Sequence, residues 1–190
     1  MKEKTITIVS GLPRSGTSMM MMMLQAGGME TLTDNIRKAD EDNPKGYYEF
    51  ERVKDIEHDT SWLPLAEGKV VKMISALLRH LPDDYEYKVV FMQRKMEEIL
   101  ASQRRMLIRR GEDPDAVSDD KIAEISRRHL QQVEEWLHDQ PNIGVLYVRY
   151  NEVLDDPRRQ ATRISGFLDG RVDPVRMVQA VDKRLYRQRA

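Results

Sequence analysis

The chain has 190 residues, enough for one domain with a substantial core, so we expect a single domain over residues 1–190. Its 31 basic and 32 acidic side chains nearly cancel, which excludes a global field that would attract nucleic acid or an anionic membrane. The lack of cysteine excludes a disulfide framework, a thiolate nucleophile and a cysteine-ligated zinc site. No stretch has the form of a secretory signal or a membrane span, so we expect a cytoplasmic protein.

Short β-branched and apolar runs alternate with helical patterns along the chain. The predicted strands cover residues 4–10, 69–74, 88–93 and 143–149. A helix-compatible run follows the first strand, and further helices are predicted over residues 50–59, 97–110, 119–139, 157–168 and 175–181. This alternation predicts a three-layer α/β fold, with a parallel sheet of about four or five strands flanked by helices. The loops at the carboxyl ends of the strands would then lie on one rim.

The first predicted strand runs into SGLPRSGTSMMMMML, residues 10–24. Gly11, Gly16 and Ser18 match the frame G-x-x-x-x-G-K-[ST] of a phosphate-binding loop, but Thr17 stands where the lysine would be. A strand, a glycine-rich turn and a helix together direct backbone N–H groups and the positive helix end at one point. The segment therefore predicts an anion site, although a tight strand-to-helix turn without a ligand would use the same glycines.

Side chains of the loop add to these backbone donors. Arg14 can fork onto two phosphate oxygens, and Ser15, Thr17 and Ser18 supply hydroxyl groups. The lysine that reaches the β- and γ-phosphates of a nucleoside triphosphate has no counterpart, and no aspartate ends the second or third predicted strand to direct magnesium. A triphosphate with its metal is a poor fit.

Two segments in this order resemble the sulfotransferase family. LPRSGTS, residues 12–18, is similar to the loop that receives the 5′ group of 3′-phosphoadenosine 5′-phosphosulfate (PAPS). VVFMQRKMEEILASQ, residues 89–103, resembles the family's 3′-phosphate segment, in which a strand ends in arginine and a serine follows eight positions later. Arg94 and Ser102 keep that spacing, and both side chains can point at one phosphate.

A third segment, VLYVRYNEVLDDPRRQATRISGFL, residues 145–168, resembles the family's strand followed by Tyr-x-x-Leu and an Asp-Pro helix. The resemblance implies that Tyr150 contacts the adenine, while a tyrosine that packs at a strand end is the alternative. The chain is thus identified as a small, bacterial-type member of the PAPS-dependent sulfotransferases, with a P-loop nucleotide-hydrolase-like fold. The family implies sulfuryl transfer from PAPS to a hydroxyl or amine, with adenosine 3′,5′-bisphosphate as the product.

The catalytic groups differ from those of the family: its Lys-x-His after a strand is here Lys72 followed two residues later by Ile74, so the base must come from elsewhere. Sulfuryl transfer needs a base for the acceptor's proton and one or two cations, and it needs no metal. We favour Glu49 as the base, on a loop where its carboxylate could be partly desolvated; an acid in the first turn of a helix is the alternative. His80 is the second candidate base. Arg14 is expected at the 5′-phosphosulfate and Lys72 at the bridging oxygen.

The remaining features give broader expectations. The methionines at 19–23 would point all round a helix axis, so we expect core packing on several sides of the first helix. Residues 33–49, a predicted long ordered loop, and the polar stretch 109–120 are expected to build the acceptor pocket. Lys183 and Arg184 could partly replace the family's glycine-rich 3′-phosphate segment, or they belong to a solvated tail.

Other patterns indicate solvated surface. His58, His129 and His138 lie in charged helical surroundings, and the arginine pairs are interleaved with acids, so no nucleic-acid partner is expected. Two other functions remain open: a nucleotide or small-molecule kinase with a degenerate phosphate loop, and a nucleotide-binding protein without catalysis. The sequence specifies neither the acceptor nor the oligomeric state.

Overall fold

The computed structural model describes residues 4–34, 36, 46 and 48–181. A parallel sheet of four strands, in the order β2-β1-β3-β4, forms its centre and confirms the predicted α/β class. The strands are β1 (Thr5–Gly11), β2 (Val70–Lys72), β3 (Glu86–Gln93) and β4 (Ile143–Arg149). The strand order reverses between β1 and β3, so the loops that follow these two strands open onto one crevice at the carboxyl rim.

Helices connect the strands in the described part of the chain. They are α1 (Thr17–Ala26), α2 (Leu63–Ala66), α3 (Met96–Arg109), α4 (Asp119–His138), α5 (Tyr150–Asp155), α6 (Pro157–Phe167) and α7 (Pro174–Gln179). Two 3₁₀ helices cover Glu51–Asp55 and Ser75–His80. The predicted boundaries of the longer helices agree to within a few residues, because their apolar periodicity and caps are local. The short helices α2, α5 and Ser75–His80 were not predicted.

Two predicted elements are shorter than expected. Of the strand predicted over 69–74, only Val70–Lys72 pairs with β1; the next residue donates one more hydrogen bond, from Met73 N–H to Val9 O, before the backbone turns. The helix predicted over 50–59 is limited to the 3₁₀ helix Glu51–Asp55. Farther along, the Asp59 carboxylate accepts hydrogen bonds from the backbone N–H and hydroxyl of Ser61, a local alternative to continued helix.

Both faces of the sheet are covered. Along β1, Ile8 packs into the apolar cluster that contains α2 and the end of α4, while Val9 packs into the cluster that contains α1, α6 and α7. Val89 and Val90 of β3 divide in the same way between the two clusters. Successive strand residues point to opposite faces, so burial of both explains the uninterrupted apolar runs of the sequence.

The methionine run is part of this core. Met20, Met21 and Met23 on α1 are fully buried, and Met19 and Met22 are half-buried. Gly27, directly after α1, lies so close to α7 that a Cβ would be 2.8 Å from Met177 Cγ. Helix α1 is thus enclosed between the sheet and α7, and the expectation of core packing is confirmed.

Several expectations fall wholly or partly outside the described residues. Of the predicted loop 33–49, the structure describes Thr33, Asp34, residues 36 and 46, and the end from residue 48 onward. Lys183 and Arg184 lie in the part that is not described. No helix among the described residues is both long enough and apolar enough to cross a lipid bilayer.

Candidate active site

The loop between β1 and α1 has the backbone of an anion site. Gly11 and Gly16 have φ angles of 144° and 100°, and Arg14 also has a positive φ, of 71°. A Cβ at Gly11 would lie 2.6 Å from the carbonyl oxygen of Met92, so only glycine fits between the loop and β3. Gly16 caps α1 without a side-chain hydrogen bond, so no capping side chain covers the N–H groups of the helix's first turn.

Ser15 adds a buried hydroxyl to this loop. Its side chain is 1% exposed, and its Oγ has no hydrogen-bond partner within the described residues. The backbone N–H of Ser15 donates instead to Leu12 O, at 3.2 Å, and closes the turn. A buried donor without a partner is costly, and a phosphate oxygen in the loop is a suitable partner for it.

The predicted 3′-phosphate residues lie next to the loop. Arg94 Nη1 donates to the carbonyl oxygen of Arg14 at 3.0 Å, and Arg14 Nε donates to Ser102 Oγ at 2.9 Å. The three residues that the sequence analysis assigned to the two ends of one nucleotide are therefore in direct contact. The Arg14 guanidinium, expected at the 5′ group, here contacts Ser102, so it lies between the two predicted phosphate positions.

Tyr150, the first residue of α5, closes the cluster from the other side. Its ring stacks under the Arg94 guanidinium, with 4.3 Å between the ring centroid and Cζ. The ring also faces Gly16, where a Cβ would come within 2.4 Å of Cδ2. Tyr150 thus packs at the end of β4, which is the alternative role considered for it, and it lies beside the phosphate loop. A contact with adenine stays a prediction.

The predicted catalytic residues Glu49 and Lys72 also meet. Lys72 ends β2, and its Nζ lies 3.8 Å from Glu49 Oε1; the two side chains are 13% and 20% exposed. Thr33 Oγ1 donates to the carbonyl oxygen of Glu49 at 2.9 Å, and the Tyr48 hydroxyl donates to Gln25 on α1 at 2.9 Å. These bonds fix the end of the loop against the sheet and α1.

Comparison with known proteins decides the family. The family model described as the sulfotransferase domain matches residues 4–188. The chain belongs to this family. The predicted resemblance is thereby confirmed. A search of curated proteins gives no significant match to this sulfotransferase.

Solved structures have the same fold. The sulfotransferase domain from the Synechococcus PCC 7002 olefin synthase is 18% identical, with a TM-score of 0.52 over 97% of this chain and 83% of that one. The sulfotransferase domain from the curacin biosynthetic pathway is 15% identical, with a TM-score of 0.58 over 96% and 79% of the two chains. A mouse sulfotransferase complexed with PAP is 16% identical, with a TM-score of 0.53 over 95% and 63%.

The alternative roles of the candidate base residues can now be compared in this sulfotransferase. Glu49 precedes Phe50, the cap of the 3₁₀ helix Glu51–Asp55, and Glu51 is the acid in its first turn. The alternative interpretation of Glu49 as a first-turn acid is therefore wrong. His80 ends the other 3₁₀ helix and is half-buried, and its side chain forms no hydrogen bond or ion pair within the described residues.

One histidine is not the surface residue that the sequence analysis expected. His129 Nε2 lies 2.8 Å from Oγ of Ser75, which is 2% exposed and starts the 3₁₀ helix after β2. Burial lowers the pKa of His129 from its ordinary value, and the nearby positive charge of Arg79 lowers it further. The spacing of four residues between His129, Val133 and Leu137, which places them on one helix face, was a usable signal.

The sequence analysis also missed two polar residues beside Arg94, namely Glu98 and Asn151. Glu98, 1% exposed, accepts hydrogen bonds from Arg94 Nε at 2.8 Å and from Asn151 Nδ2 at 2.9 Å. Glu98 lies four residues after Arg94, which precedes α3, and four before Ser102, so the shared face of Glu98 and Ser102 on α3 could be read from the sequence. Asn151 carries no comparable signal, because its hydrogen bond to Glu98 joins residues that are 53 positions apart in the sequence.

Proposed function

We propose that this sulfotransferase moves a sulfuryl group from PAPS to a hydroxyl or amine of its acceptor, with Arg14, Arg94 and Ser102 binding the nucleotide. The observation that carries the proposal is the contact of Arg14 with Ser102 and Arg94 at the mouth of the phosphate loop. The buried hydroxyl of Ser15, without a partner among the described residues, supports an anionic ligand in that loop. The family match over residues 4–188 favours this reaction over a kinase.

The nucleotide would lie along the crevice between β1 and β3. Backbone N–H groups at the start of α1, with the hydroxyls of Ser15, Thr17 and Ser18, would hold its 5′ group. Arg94 and Ser102 would hold the 3′-phosphate, which two charge-assisted donors recognise well. Tyr150, stacked on Arg94, would border the adenine.

PAPS, when bound, supplies the sulfuryl group. Glu49 would take the proton from the acceptor's hydroxyl or amine as that group attacks. Lys72, 3.8 Å from Glu49, would neutralise the charge that develops on the departing phosphate oxygen, with Arg14 as a second cation. The proximity of Glu49 and Lys72 supports these two roles, because the base and the cation must both reach the sulfuryl group during transfer. His80 remains the second candidate base.

The acceptor pocket would form from residues 33–49 and 109–120, and Glu49 ends the first of these segments. We extend the proposal to a reaction in the cytoplasm without a nucleic-acid partner, which the cysteine-free composition and the net charge of −1 support.

The binding test uses adenosine 3′,5′-bisphosphate in the absence of magnesium. At a hundred times its Kd the ligand adds about 2.7 kcal/mol, or roughly 5–10 °C in Tm for a protein of this size. Arg14→Ala and Ser102→Ala should remove most of the shift, and Arg128→Ala, an exposed arginine on α4, should keep it. No shift of the parent protein at millimolar ligand would refute the proposal, and a tight ATP–magnesium complex in calorimetry would favour a kinase.

A further inference from the structure

Glu98 is the most deeply buried carboxylate of the described chain, and it lies at the nucleotide end of the site. Its residue is 1% exposed, on the first turns of α3. Both oxygens are bonded: Oε2 accepts from Arg94 Nε at 2.8 Å, and Oε1 accepts from Asn151 Nδ2 at 2.9 Å. A carboxylate removed from water is costly unless its acceptor positions are filled, and a filled network of this kind is rigid.

The contacts of Arg94 show what this rigidity controls. Its side chain is only 8% exposed. Nε is bonded to Glu98, Nη1 is bonded to the carbonyl oxygen of Arg14, and the flat face lies on the Tyr150 ring. These three contacts, on two edges and one face of a planar group, determine the orientation of the guanidinium.

The same carboxylate connects three segments of the chain. Through Arg94 it reaches the β1–α1 loop at Arg14, and through Asn151 it reaches α5, which presents Tyr150 to Gly16. Loss of the carboxylate would therefore release the Arg94 guanidinium from its fixed orientation.

We propose that Glu98 is a positioning residue that orients Arg94 and thereby sets the preference of the site for a nucleotide with a 3′-phosphate. The inference rests on the proposed function, in which Arg94 binds that phosphate. An arginine that folding has already fixed in one orientation loses less side-chain entropy when it binds a phosphate, so its affinity for the phosphate is higher. The negative charge of Glu98 acts in the opposite direction, because it repels a phosphate bound at Arg94. If repulsion dominated, removing the charge would raise bisphosphate affinity; if orientation of Arg94 dominates, removing it lowers that affinity.

The test measures two dissociation constants by calorimetry, for adenosine 3′,5′-bisphosphate and for adenosine 5′-monophosphate, which lacks the 3′-phosphate. The parent protein should prefer the bisphosphate strongly. Glu98→Gln keeps nearly the same side-chain shape but replaces one acceptor oxygen with an amide NH₂ group. We therefore expect bisphosphate affinity to fall about tenfold or more, while monophosphate affinity stays within about twofold. A general loosening of the fold would weaken both nucleotides equally, so the ratio isolates the positioning role.

Two further variants complete the design. Glu97→Gln changes an exposed acid on the same turn of α3 and should leave both constants unchanged. Asn151→Ala keeps the Arg94–Glu98 pair but removes the hydrogen bond from Asn151 to Glu98, so it should lower the preference for the bisphosphate by a smaller factor. This variant still tests the role of Glu98 if Glu98→Gln does not fold.

The outcomes separate the two proposals. A parent protein that binds both nucleotides equally contradicts the proposed function itself. If the parent prefers the bisphosphate but both Glu98→Gln and Asn151→Ala keep or increase that preference, the nucleotide site stands and the role of Glu98 is refuted.

Discussion

The two ends of the candidate site are built differently. At the nucleotide end, Arg14, Arg94 and Ser102 are joined by hydrogen bonds of 2.9–3.0 Å, with buried Glu98 behind them. At the acceptor end, Glu49 and Lys72 form an ion pair of 3.8 Å beside a loop that the structure describes only in part. In the proposed function, the nucleotide would therefore meet a network whose hydrogen bonds are already formed, while the transfer step would depend on the ion pair of Glu49 and Lys72.

The largest effect is expected at the acceptor end. Glu49→Gln should lower kcat about 100-fold or more, because a general base contributes that much, while adenosine 3′,5′-bisphosphate binds as before. The measurement is transfer of labelled sulfate from PAPS to a panel of hydroxyl and amine acceptors. Glu51→Gln is the control, since that acid is paired with Lys54 on the 3₁₀ helix. Full turnover by Glu49→Gln would rule out this base, and loss of turnover in His80→Ala would assign the role to His80.

The second prediction concerns the packing of the loop on Tyr150. Gly16 and Gly28 both have φ near 100°, so alanine at either position costs about 1–2 kcal/mol in the left-handed backbone region. Only at Gly16 does the added Cβ also meet a side chain, 2.4 Å from Tyr150. Gly16→Ala should therefore be less stable than Gly28→Ala and should lose most nucleotide affinity, whereas Gly28→Ala should keep it. Denaturant unfolding and calorimetry give both quantities, and equal affinities would show that this contact does not shape the site.

A moderate effect is expected for the proposed cation at the bridging oxygen. Lys72→Met should reduce kcat roughly tenfold through the loss of one charge-assisted contact, with a small change in bisphosphate affinity. Lys69→Met is the control, because it removes a lysine directly before the same strand that pairs with Glu30. If Lys72→Met lowers nucleotide affinity rather than kcat, Lys72 belongs to the rigid end of the site.

The smallest effect concerns His129 beside Ser75. Burial and then Arg79 lower the pKa of His129, so the unfolded chain binds a proton more readily than the folded one. This contribution to the free energy of unfolding is complete above the ordinary pKa of about 6.5 and is lost as the pH falls below it. Urea unfolding at pH 7.5 and pH 5.5 should show a smaller acid-induced loss in His129→Gln than in the parent, and exposed His58→Gln should behave like the parent. An unchanged loss in His129→Gln would attribute the acid sensitivity to other groups.

The sequence predicts the parts of the molecule that depend on local pattern. The four strands, the phosphate loop and the long helices follow from apolar runs, glycines and periodicity, and the order of the loop and the Arg94–Ser102 pair indicated the family. Long-range packing explains what was missed: Glu98 meets Asn151 across 53 residues, and His129 meets Ser75 across 54. Glu49 and Lys72 were both proposed, but their contact depends on how the end of the loop lies against β2.

The most direct measurement is a crystal structure with adenosine 3′,5′-bisphosphate. We expect its 5′-phosphate at the N–H groups that begin α1 and at Ser15 Oγ, and its 3′-phosphate within hydrogen-bond distance of Arg94 and Ser102. The distances from the 5′-phosphate to Glu49, Lys72 and His80 would then identify the base. A nucleotide bound outside the loop, or with its 5′-phosphate at Arg94 and Ser102, would contradict the account.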